Sequence, residues 1–97
     1  MKMIAIRKSH KGSYEVNYQK PIEVFKRRHG DNLKKEIGHL LKNEGRITVC
    51  LGAAVDFSKN GYKSLRELMQ YAEEEKCRIN FTYFGVDISH KIELLSN

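Results

Sequence analysis

Cysteine is scarce in this chain and proline scarcer, with two of the first and one of the second in 97 residues. Cys50 and Cys77 show no C-x-x-C spacing and no grouping with the four histidines. That pattern excludes a disulfide framework and a spaced zinc site, and it predicts two separate reduced thiols. No apolar run approaches the roughly 20 residues that a bilayer crossing needs. The opening MKMIAIRKSH is too short in its apolar part for a secretory signal. The expectation is a soluble cytoplasmic chain with no membrane partner. Internal repeats, low-complexity stretches and linkers are missing too, so residues 1–97 read as one domain. Glycine-rich phosphate loops, paired acid–base carboxylates and nucleophile elbows are also lacking. The chain therefore reads as a non-enzyme, with no cofactor and no metal expected.

What is present is charge, unevenly placed. Eighteen Lys and Arg against 12 Asp and Glu give a formal charge of +6. Residues 1–46 carry 12 of those cations against 5 acids, while residues 47–97 carry 6 against 7. A basic half points to an acidic partner, either a protein face or nucleic acid.

The apolar pattern sets out the elements. Met3–Arg7 and Tyr14–Tyr18 are β-like runs around the polar link SHKGS, as in a hairpin. Pro21 fits the first position of a helix, where its missing N–H is no loss. Ile22, Phe25, Leu33, Ile37 and Leu40/Leu41 follow on one helical stripe. The expectation is a helix over 21–43, continuous or broken at Gly30 with Asp31 or Asn32 capping a second piece. Gly45 ends it. Ile47, Val49 and Leu51 alternate as a half-buried strand, and AAVDFS is a second short one. KNGY at 59–62 reads as a turn, and Ser64 or a neighbour opens a helix with Leu65, Leu68, Met69 and Ala72 inward. RINFTYF puts Ile79, Phe81 and Tyr83 on one face and Asn80, Thr82 and Phe84 on the other. A last helix turns Ile88, Ile92 and Leu95 inward. This order predicts an α+β open-faced sandwich, a mostly antiparallel sheet with three helices on one face.

Lys63-Ser64-Leu65-Arg66-Glu67-Leu68-Met69 resembles the K-S-I-M-G-L-M start of the second helix in the histidine-containing phosphocarrier family, HPr, of the sugar phosphotransferase system. The later Gly85-Val86-Asp87 is similar to that family's G-x-D, and YQKPIEVF can be laid on its H-A-R-P-A-x-x-F, matching Pro21 and Phe25. The resemblance spans about residues 18–95, with an insertion around HGDNLKKEIGH. It implies an HPr-like fold. It also implies that partners meet the start of the first helix and the second helix, here Tyr18, Gln19, Lys20, Ser64, Arg66 and Glu67. Ser64 falls where some family members are phosphorylated by a regulatory kinase, and it also reads as a helix cap. The family's phosphoryl acceptor, however, is a histidine, and Tyr18 stands in its place. A phenol with a pKa near 10 accepts phosphoryl groups poorly at neutral pH, and Lys20 gives a point charge in place of the arginine fork. His10 is the substitute acceptor if Met3–Arg7 is the first strand, which would make the chain a working phosphocarrier. The favoured reading is a divergent regulatory or protein-binding module whose partner presents an acidic face. Lys26, Arg27, Arg28, Lys34 and Lys35 support the alternative, a small basic nucleic-acid-binding protein.

Overall fold

The computed structural model describes residues 3–10 and 12–97; Met1, Lys2 and the Lys11 of the expected hairpin link lie outside the described residues. Among the described residues seven strands and three helices follow one another. They are β1 (Ile4–His10), β2 (Ser13–Tyr18), β3 (Ile22–Phe25), α1 (Arg27–Ile37), β4 (Arg46–Cys50), β5 (Ala54–Phe57), α2 (Lys59–Glu74), β6 (Arg78–Tyr83), β7 (Val86–Asp87) and α3 (Ser89–Leu95). A 3-10 turn over Gly38–Leu40 extends α1.

Five strands form one open sheet in the order β1-β2-β4-β6-β7, and β3 pairs with β5 in a separate two-stranded sheet. The expected α+β content, three helices and open sheet are all present. Antiparallel pairing holds at both edges, β1/β2 and β6/β7. The two central ladders, β2/β4 and β4/β6, are parallel. Each joins strands separated by a long crossover through a helix, which parallel neighbours require. The two short strands expected to lie side by side, β4 and β5, do not pair. Gly52 and Ala53 turn the chain out of the main sheet, and β5 runs parallel to β3 instead.

Alternation decides which face is covered. Val16, Val49 and Phe81 stand in register across β2, β4 and β6, and all three are fully buried. Ile47, beside them on the same face, pairs with Tyr14 and Ile79. Leu33 and Ile37 of α1, Leu65, Leu68 and Ala72 of α2, and Ile92 of α3 close this core. The other face of the sheet carries Ser13, Glu15, Asn17, Arg46, Thr48, Arg78 and Asn80, all half-buried or exposed. No helix covers it.

Two helix starts are corrected, and α1 with its 3-10 extension ends at Leu40 rather than at 43. The expected helix from Pro21 begins only at Arg27, because Ile22–Phe25 is β3: the Ile22 amide donates to the Ala53 carbonyl, and the segment then pairs along β5. Apolar residues at 22 and 25 suit both patterns, and the β-branched Ile22 and Val24 favour the strand. Gly30 does not break α1; it is buried in the helix interior, where a Cβ would overlap the Ser64 hydroxyl. The second correction is at KNGY, which is the first turn of α2. Ser58, not Ser64, caps that helix, its side-chain oxygen accepting from the Gly61 amide at 2.9 Å. Gly61 is there for space, since a Cβ would run into the Phe25 carbonyl.

Candidate functional site

Parallel strands end together. Here β2, β4 and β6 release the chain at one end of the sheet through Gln19–Lys20, Gly52–Ala53 and Phe84–Gly85. Open sheets with parallel strands commonly carry ligands at their carboxyl ends. Both crossovers step the same way across this sheet, so no crevice opens between diverging helices. The end is a surface rather than a cleft.

A chain of aromatic rings stiffens it from beneath. Tyr18 meets Phe25 edge-on at 5.9 Å, Phe25 lies 5.5 Å from Phe57, and Phe57 stacks on Tyr62 at 5.0 Å. Tyr83 closes on Phe57 at 6.0 Å and takes Phe84 edge-on at 4.8 Å. The Tyr83 hydroxyl donates to the Ala54 carbonyl at 2.8 Å, tying β5 to β6. The Phe25 carbonyl accepts from the Ser58 amide at 3.0 Å and the Ser58 hydroxyl at 3.3 Å, fixing the start of α2 against β3.

Three apolar side chains of the neighbouring segments are exposed to water: Val55 is 75% exposed, Phe84 77% and Val86 64%, Phe84 on the uncovered sheet face and Val86, in register with Tyr83, on the other. Phe84 and Gly85 have φ of 49° and 81°, a two-residue hairpin turn of the kind that normally takes Asn or Gly. A bulky ring at positive φ is strained. Lys20 and Lys59 are exposed in the loop after β2 and in the first turn of α2. A shallow groove of about 430 Å³ continues onto the uncovered sheet face, over Asn17, Thr48, Cys50 and Thr82 toward Phe84.

The residues singled out from sequence distribute unevenly. Tyr18 ends β2 rather than starting a helix, and its hydroxyl is buried without a hydrogen-bond partner among the described residues. Burial drives its pKa above the ordinary phenol value. Gln19 and Lys20 lie exposed at the carboxyl end. The other three point elsewhere. Ser64 is 4% exposed, donates to the Gly61 carbonyl at 2.7 Å and packs on Gly30 between α1 and α2. Glu67 faces α1, where both its oxygens take the Arg27 guanidinium at 2.6 and 3.1 Å, and that hydrogen bonding lowers its pKa. Arg66 turns toward α3 and donates to the Asn97 side chain at 3.0 Å. Tyr18, Gln19 and Lys20 therefore come together, while Ser64, Arg66 and Glu67 are taken up by helix packing.

The basic cluster is divided as well. Arg27 is held by Glu67, with Asp31 3.6 Å away, and Lys34 lies over the Tyr71 ring at 4.5 Å. Lys26, Arg28 and Lys35 remain exposed. His10 ends β1 opposite Ser13, on an exposed hairpin. Cys50 and Cys77 are both free, and they sit at opposite ends of the parallel strands. Among the described residues no three His, Cys, Asp or Glu gather as metal ligands, and no helix is long and apolar enough to cross a membrane.

Val55, Phe84 and Val86 escaped the sequence reading. One signal was available for Phe84: strand alternation sets it on the same face as Asn80 and Thr82, an aromatic on a polar face. No family model matches the chain, and no curated protein matches it.

Proposed function

We propose that this chain is a non-catalytic protein-binding module that docks an acidic partner on the carboxyl end of its parallel strands. The observation that carries this reading is Phe84, a ring 77% exposed and held edge-on against Tyr83 at this end of the sheet. The exposed ring supplies affinity, and the exposed Lys20 and Lys59 steer a partner of opposite charge. A flat surface suits a protein better than a small molecule, which needs enclosure.

The likeness to the HPr family enters this reading through local stretches, Lys63–Met69 and Gly85–Asp87, and through an element order that agrees once β1, β3 and β7 are set aside. The parallel central ladders do not follow from it. Phosphoryl transfer is not part of the reading, since the residue in the acceptor's place is a buried phenol.

The test is photo-crosslinking in the native host from a reactive residue at position 55. The expected result is one protein with an acidic face, captured by the wild type and lost in Lys20→Glu/Lys59→Glu and in Val86→Asp with folding intact. Capture that survives all three changes overturns the docking face. Acid-labile phosphate on His10 after incubation with phosphoenolpyruvate and the general phosphotransferase enzyme would turn the function into a carrier's.

A further inference from the structure

The uncovered sheet face is ordered in rows. Ser13, Arg46 and Arg78 form one row across β2, β4 and β6; Glu15, Thr48 and Asn80 form the next; Asn17, Cys50 and Thr82 form the third. Arg46 and Arg78 are therefore direct neighbours about 4.8 Å apart, the spacing of paired strands. Like charges directly opposite one another destabilise a sheet. Both are exposed, and neither has a carboxylate within ion-pair distance among the described residues. The carboxylates on this face are already engaged. Glu15 takes Arg7 at 3.2 Å and the Asn17 amide at 3.0 Å, and Asp87 accepts from the Ser89 amide at 2.8 Å. Six residues beyond Arg78 on the same face comes Phe84, its ring resting 3.6 Å from the Cβ position of Gly52.

We infer that this face binds single-stranded nucleic acid, with phosphates on Arg46 and Arg78 and a base stacked on Phe84. The inference is independent of the protein-docking reading, although the two share Phe84. Charge complementarity selects an anionic ligand, because two adjacent cations without counter-charge are relieved by phosphate. Shape selects a single strand. A flat sheet offers no convex element for a duplex groove, but splayed bases can lie on it between amide and hydroxyl side chains. From Arg78 to Phe84 is about 20 Å at the usual rise of a strand, room for about four nucleotides, the lower end of such sites. The strained turn fits this role: it holds an aromatic ring out where a compliant Asn would serve the backbone better.

The experiment is fluorescence anisotropy with a labelled ten-nucleotide strand of mixed sequence, as RNA and as DNA, at 50 and 200 mM salt. The wild type should bind at the lower salt and weaken steeply at the higher. Arg46→Gln/Arg78→Gln should lose at least tenfold and flatten the logarithmic salt slope by roughly 1.4, two contacts at about 0.7 each. Phe84→Asn should bind roughly 5- to 100-fold more weakly while its urea midpoint rises, since the turn strain is relieved. Lys20→Glu/Lys59→Glu, which probes the docking rim, should retain its stacking on Phe84 and lose less than the arginine variant. No binding at 50 mM salt overturns the inference. So does a duplex bound as tightly as the single strand, or a loss caused by Lys26→Gln/Arg28→Gln/Lys35→Gln that the arginine variant does not show.

Discussion

His29 shows how one side chain couples this fold to pH. Its Nδ1 accepts a hydrogen bond from the Lys26 amide at 2.9 Å, and the His29 amide returns one to the Lys26 carbonyl, closing the first turn of α1. Only a neutral ring can accept there. Partial burial, then Arg28 and Lys26, lower its pKa below the ordinary value of 6.5. The unfolded chain therefore takes up the proton first as pH falls. The stability that His29 contributes is complete above about pH 6.5 and drains away as the pH drops through the lower folded value. Urea midpoints at pH 7.5 and pH 5 should fall further apart in the wild type than in His29→Gln. Parallel pH profiles for the two proteins would rule this out.

At the scale of elements, three glycines separate steric need from mere tolerance. Gly61 lies against the Phe25 carbonyl and Gly30 against the Ser64 hydroxyl, while Gly38, in helical conformation, has open space where a Cβ would go. Gly61→Ala should destabilise most, because backbone cannot give way. Gly30→Ala should cost about 1–3 kcal/mol through overpacking of α1 on α2. Gly38→Ala should be neutral or gain about 0.4–1 kcal/mol by restricting the unfolded chain. Chemical denaturation of the three variants checks the ranking, and equal losses at all three positions would contradict it. The same glycines mark where the sequence was legible. Apolar spacing placed the cores of α2, β4 and β6 because each buries one clean face. It misplaced the starts of α1 and α2 because Ile22 and Phe25 fit either period, and because Asn60-Gly61 carries turn chemistry that close packing overrides.

For the whole molecule, pairing predicts where the fold opens last. β4 is hydrogen-bonded on both sides within the main sheet, and Val49 and Phe81 are fully buried. Native-state exchange should find the slowest amides on β4 and β6, and much faster ones on the two-residue edge strand β7. Slowest exchange in the β1–β2 hairpin would contradict this. Pairing is also why so little of the candidate site could be read in advance. Lys20 and Phe84 lie far apart in sequence, and only the parallel ladders carry both to one end of the sheet. Ser64, Arg66 and Glu67 look like surface residues until α1 and α3 are seen beside them. One further consequence lies in the two-stranded sheet. β3 leads into α1 through Lys26 alone, and β5 leads into α2 through Ser58 alone. Both helices thus follow from one small plate, and the hydrogen bonds from Ser58 to the Phe25 carbonyl tie the start of α2 to the strand that leads into α1. Pressure on Val55 from outside reaches both at their first turns, so whatever docks there holds a common handle on the helical layer.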